Sequence, residues 1–143
     1  MKTEVTWVTT FDGASCRVYT LAGNPGQLHE IVDERREGPH KPQFDDGPGR
    51  VYSSVGPGRS GVSQHTDPER RMEDEFVGEL AQHLARRAAD GSFDQLIVAA
   101  GARALGAFRT AAPKALVDRV TREINGNYVN GGQDSLLSAV LSR

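Results

Sequence analysis

A chain of 143 residues with 37% apolar content has the size and composition of one domain with one core. Its 17 basic and 19 acidic residues nearly cancel, so no overall field draws nucleic acid and any polyanion contact has to come from a local patch. The single cysteine, Cys16, excludes an internal disulfide and a cysteine-rich zinc site, and the dispersed histidines do not restore metal-ligand spacing.

The start, MKTEVTWVTTFDG, places Glu4 and several threonines where a secretory signal needs an unbroken apolar run. No later stretch approaches the roughly 18 apolar residues of a membrane span. A cytoplasmic protein with no membrane contact, no cofactor and no metal is expected.

The residues from Val5 to Phe11 are β-branched or aromatic, with Val5, Trp7 and Phe11 on one parity, the pattern of a strand with one strongly buried face. Asp12 and Gly13 supply a turn, Cys16 to Leu21 reads as a second strand, and Ala22 to Gly26 is a dense turn signal before the third run, QLHEIVDER. Consecutive hairpins make these an antiparallel meander. Between Gly38 and Thr66 ten of 29 residues are Gly or Pro and apolar periodicity vanishes. A connection longer than about 12 to 15 residues is usually functional or disordered.

Thr66, Asp67, Pro68 and Glu69 form a strong helix start. The helix is expected to run to about Ala89. Met72, Phe76, Leu80 and Leu84 recur every four residues, so that stripe faces a core while Glu73, Glu79, Arg86 and Arg87 stay in water. Phe93 to Ala100 is a nearly continuous apolar run suited to a central strand covered on both faces. A helix through Leu105 and Phe108, a break at Pro113, a turn through Leu116 and Val117, a last strand RVTREI and a closing helix with Leu136, Leu137, Val140 and Leu141 complete the chain. A right-handed crossover would set the apolar strand parallel to the first. The resulting order, three meander strands followed by helix-strand-helix-strand-helix, is that of a ribonuclease H-like α/β fold. It implies a mixed five-stranded sheet with flanking helices in a single domain over residues 1–143.

Such a sheet often carries a metal-dependent nuclease site. Asp12 stands at the first carboxylate position and Glu73 or Glu75 at the second, but the fourth strand ends in Ala99, Ala100 and Gly101. Two magnesium ions about 4 Å apart need several bridging oxygens, and Asp-Gly in a hairpin is ordinary turn chemistry. GPGRSG, with Gly56, Gly58 and Gly61, imitates a dinucleotide fingerprint, yet no helix opens within it. The stretch from Gly56 to Arg71 has two open readings. Gly58 and Gly61 let backbone N–H groups converge, Arg59 and Arg70 offer cationic donors, and Ser63, Gln64 and His65 add neutral ones, so that the loop grips an anion or an RNA backbone. Alternatively it is a flexible surface loop kept soluble by its composition. His29, His40 and His83 read as an edge residue, a loop residue and a wet helix residue. Gly131, Gly132 and Gln133 spell the Gly-Gly-Gln of peptide release factors, but they precede the last short helix, where Asp134 is expected to cap SLLSAVL.

Taken together, TWVTTFDGASCRVYTL, GPGRSGVSQHTDPERRMEDEFVGELAQHL, FDQLIVAAGARALGAFR and VTREINGNYV resemble the bacterial family of host attachment proteins over nearly the whole chain. The most specific parts are Thr66-Asp67-Pro68 and Leu105-Gly106 with Arg109. A typical member has Ala-Pro-Pro where Ala100, Gly101 and Ala102 stand here, and a different segment at Asn127, Tyr128 and Val129. That family is distantly similar to the middle domain of archaeal and eukaryotic peptide release factors, whose Gly-Gly-Gln loop lies just before the long first helix. The resemblance maps that loop onto Gly56 to Thr66, where Gly58, Gly61 and Gln64 are present but the glycines are unpaired. It implies a non-enzymatic protein contacting RNA or the ribosome. The alternatives are a peptidyl-tRNA-hydrolysing release or rescue factor using Gln64, and a protein-interaction module affecting attachment indirectly.

Overall fold

The computed structural model describes residues 4–23, 26–38 and 67–142. Gly58, Arg59, Gly61, Ser63, Gln64 and His65 therefore lie outside the described residues, as do Thr66 and His40. The strands are β1 (Thr6–Phe11), β2 (Ser15–Ala22), β3 (Gln27–Glu30), β4 (Arg36–Glu37), β5 (Gln95–Ala100) and β6 (Val120–Asn125). The helices are α1 (Asp67–Ala89), α2 (Ala102–Ala111), α3 (Lys114–Val117) and α4 (Gln133–Leu141). Among the described residues they build one mixed sheet in the order β3-β2-β1-β5-β6, with β4 beside β3 along the same edge of β2.

β1 pairs antiparallel with β2, from Thr6 opposite Leu21 to Phe11 opposite Cys16. It pairs parallel with β5, from Thr6 opposite Gln95 to Phe11 opposite Ala100. β5 pairs parallel with β6. The apolar strand after the long helix is thus parallel to the first, as the crossover argument requires. Trp7, Phe11, Val18, Leu96 and Val98 pack under Phe76, Leu80 and Leu84 of α1, Leu105 and Phe108 of α2 and Leu116 of α3. Phe93 stacks at 5.0 Å on Trp7. Fully burying each such side chain contributes about 1.5–3 kcal/mol. The four-residue stripe of α1 holds except at its first member, Met72, which is 38% exposed.

The opposite face differs from expectation. β1 is buried on both sides, because Val8 joins Tyr19, Leu28, Ile97 and Ala99 beneath Leu136 and Val140 of α4. α4 is tied near its two ends to the two edges of the sheet. Gln133 Nε2 donates to the Leu28 carbonyl at 2.7 Å, and Arg122 of β6 donates to the Val140 and Ala139 carbonyls at 2.6 and 3.4 Å, satisfying the orphan acceptors of the last turn. The helix begins after Gly132, and Asp134 lies inside its first turn rather than capping it. The Gly-Gly-Gln tripeptide therefore serves structure: two glycines lead into the helix and the glutamine pins an edge strand.

The run QLHEIVDER does not continue as one strand. A 3-10 turn, Val32–Glu34, interrupts it. The cause is Glu34, 6% exposed, whose Oε1 lies 2.5 Å from His83 Nε2 and whose Oε2 accepts from Arg87 Nε at 3.2 Å. His83 and Arg87 are accordingly drawn out of the water that the periodicity assigned them. Gly91, with φ at +84°, ends α1 in the left-handed conformation that favours glycine. No helix among the described residues is long and apolar enough to cross a membrane.

Candidate functional site at the carboxyl ends of the parallel strands

Parallel strands point their carboxyl ends the same way, and in an open α/β sheet the crevice beyond those ends is where ligands bind. Here Asp12 and Gly13 follow β1, Gly101 follows β5 and Asn127 stands two residues beyond β6. With Glu73 and Asp74 of α1 and Arg103 of α2 they line a cleft of about 280 Å³.

Three local features shape it. Asp12 Oδ1 accepts the N–H groups of Ala14 and Ser15, both at 2.8 Å, and the Ser15 hydroxyl at 3.3 Å. That oxygen is committed to the turn, as Asp-Gly hairpin chemistry predicts. Gly13 then lets α1 come close: a Cβ there would lie 2.5 Å from Glu73 Cγ and 2.7 Å from Glu73 Cβ. Glu73 is thus held against the hairpin, half-buried, rather than on the wet face of the helix. α2 opens at Gly101 with no side-chain cap and no acidic residue in its first turn, so its leading N–H groups face the cleft without intrahelical partners.

Arg103 ties the walls together. Its guanidinium reaches Glu73 Oε1 at 3.5 Å, Asp74 Oδ1 at 3.0 Å and the Arg70 carbonyl at 3.3 Å. Its side chain and that of Asp74 are about half exposed, at 46% and 55%, so each pair contributes at most about 1 kcal/mol. The strap neutralises part of the carboxylate charge at the place where a nuclease would collect metal ions. Among the described residues no group of three or more His, Cys, Asp or Glu side chains is arranged to hold a metal. Of the sequence-derived binding residues only Arg70 is described. It is exposed in the first turn of α1, with its carbonyl turned to Arg103. Arg103 and Asp74 were not singled out by the sequence, and Asn127 only as part of a departure from the family's usual segment. The available signal was the basic residue three positions after the end of an apolar strand.

The chain leaves the described structure and re-enters it at this rim. Gly38 N–H donates to the Ala14 carbonyl at 2.6 Å, beside Gly13, and α1 re-enters at Asp67, two turns before Glu73 meets Gly13.

Fold and cleft define an α/β module with a mixed sheet, flanking helices and a crevice at its parallel carboxyl ends. By sequence the chain belongs to the family described as protein required for attachment to host cells, whose model matches residues 7–140. No curated protein matches the sequence. Among solved structures the chain is similar in fold to an archaeal translation termination factor, with a TM-score of 0.54 at 14% identity over 95% of this chain and 34% of that one. It also matches a structure titled archaeal protein, with a TM-score of 0.48 at 15% identity and the same coverage. The chain therefore spans about a third of the length of these neighbours.

Proposed function

We propose that this protein is a non-enzymatic cytoplasmic binding module, built on a ribonuclease H-like scaffold, that contacts RNA at the ribosome through the Gly/Pro-rich segment and the first turn of α1. The observation that carries the reading is the rooting of that segment. Gly38, bonded to Ala14, and α1, packed on Gly13, set both of its ends on one rim of the sheet. By its sequence the segment, with the first turn of α1, supplies donors in Arg59, Ser63, Gln64, His65 and Arg70, and Gly58 and Gly61 are residue types that admit a close backbone approach. The fold likeness to a translation termination factor supports the ribosomal setting.

Charge decides which part meets phosphate. Residues 39–66 hold Lys41, Arg50 and Arg59 against Asp45 and Asp46, whereas the cleft holds Asp12, Glu73 and Asp74 against Arg103. Phosphates are therefore taken by the segment and by Arg70, and repelled from the cleft. The paired glycines that would put an N–H at an ester are absent before α1, which favours binding over hydrolysis. Any influence on host attachment is then indirect, through translation.

The test is cosedimentation with ribosomes across a salt series. Binding is expected to weaken as salt rises, and Arg59→Ala with Arg70→Ala is expected to lower the slope of log K against log salt by about 1.5. Absence of binding at every salt concentration overturns the reading. Peptide release from stalled ribosomes that Gln64→Ala abolishes would replace it with the hydrolytic one.

A further inference from the structure

β6 ends the sheet on one side: among the described residues it pairs with β5 alone. The opposite side is guarded by strands of four and two residues separated by the 3-10 turn, whereas β6 keeps six, VTREIN, with neither proline nor lysine. Its two charges are bound within the chain. Arg122 donates to the last carbonyls of α4, and both Glu123 carboxylate oxygens accept from Arg109 Nε, at 3.0 and 3.1 Å. Neither is left to repel an incoming strand. α2 and α3 stand back from this edge and leave a groove of about 450 Å³ along it, walled by Phe108, Val117 and Val120, with Val117 47% exposed. The roots of the segment outside the described residues lie at the β1–β2 turn, with β5 between them and this edge.

The backbone decides how a strand can join. An extra residue at Thr121 breaks the register with β5, and beyond it Arg122 to Asn125 stand regularly opposite Ile97 to Ala100. Gly126 N–H is turned inward to the Ala100 carbonyl. By strand alternation Ile124 and Arg122 also face β5, while Asn125 and Glu123 turn their N–H and C=O groups outward. We infer that β6 of a second copy of this chain fills that edge, antiparallel, about a two-fold axis at Ile124. In that register Glu123 of one protomer and Asn125 of its partner exchange both backbone hydrogen bonds, and the symmetric pair repeats them. The side chains agree. Ile124, partly buried against the smaller core, meets its own copy in the close, non-hydrogen-bonded position, and the Asn125 amide stands beside the partner's Glu123 carboxylate. A register centred on Glu123 sets like charges opposite each other and Asn125 against the irregular Thr121, and one centred on Asn125 runs Glu123 past the end of the partner's strand. This interface is independent of the RNA-binding reading.

Sedimentation equilibrium on the full chain between about 1 and 100 µM, a range suited to a small interface, tests it. The average mass is expected to rise with concentration from one chain toward two. Asn125→Pro removes an outward N–H and no bond to β5, so it is expected to leave the circular dichroism unchanged while association weakens about tenfold. Ile124→Cys places two thiols on the axis, and mild oxidation of the native protein is expected to give a covalent dimer that reductant releases. Cys16, 1% exposed, does not compete, and Glu123→Cys, set opposite Asn125, is expected to cross-link far more slowly. A single-chain mass at every concentration, undiminished association of folded Asn125→Pro, or cross-linking of Glu123→Cys as fast as that of Ile124→Cys would each overturn the inference.

Discussion

Cys16 enters the core from the second position of β2, with its Sγ 3.4 Å from Thr9 Oγ1 and 1% of its surface exposed. Removal from water disfavours the thiolate, and the Thr9 hydroxyl and the more distant Arg36 offset only part of that, so the thiol is pushed up to about 12 from 9.0. In the unfolded chain it ionises near 9. Its contribution to stability is therefore fully present below pH 9 and is lost as pH rises toward 12, with on the order of 1 kcal/mol gone by pH 10. Urea unfolding of the wild type should weaken between pH 9 and 11 more steeply than that of Cys16→Ala, which lacks the titrating group. Parallel slopes would show that the thiol does not carry the effect. The same burial predicts that a thiol reagent at pH 8 leaves the native chain unlabelled while modifying the denatured one completely.

At the scale of elements, the edge lane formed by β3, the 3-10 turn and β4 is docked on α1 by one buried carboxylate. Glu34 holds His83 and Arg87, whose side chains are 19% and 41% exposed. Glu34→Ala leaves two donors facing each other without their acceptor. A cost of about 2 kcal/mol is expected, below the usual figure for a broken buried pair because Arg87 remains partly solvated. Native-state hydrogen exchange should show the Gly38 amide, bonded to Ala14 across the lane, losing protection before the central strands do. Unchanged protection at Gly38 would mean that β4 is held independently of Glu34. This contact also marks what a sequence can and cannot disclose. The core-facing residues of α1 and the apolar run of β5 follow from local periodicity, and the Asp12 turn follows from side-chain chemistry over three residues. VDER looks like more strand because its fate is set by His83 and Arg87, 49 and 53 residues away from Glu34. In the cleft, Asp12 was legible for the same local reason, whereas Arg103 becomes a site residue only when α2 is brought beside α1. The remaining binding residues fall in the segment outside the described structure, and Gln133 gained its structural role from Leu28, 105 positions away.

For the whole molecule the question is whether two cores separated by one sheet behave as one. β1 sends Trp7 and Phe11 into the larger cluster and Val8 into the smaller, and Arg122 and Gln133 bind α4 to strands on opposite edges. A strand shared by both cores cannot lose one without disordering its neighbours in the other, so unfolding should be a single cooperative step. Leu80 and Leu136 are both fully buried, one on each face, and replacing either by Ala is expected to cost about 3 kcal/mol. Trp7, the sole tryptophan, reports only the face under α1. If the sheet couples the faces, Leu136→Ala on the far side lowers the midpoint of the tryptophan transition as much as that of the far-ultraviolet circular dichroism transition. If α4 is a separable layer, circular dichroism loses amplitude early while the tryptophan midpoint stays in place. Coincident transitions would mean that a load placed on the cleft rim through Gly13 and α1 is borne by both cores, because the rim is the end of the strand they share.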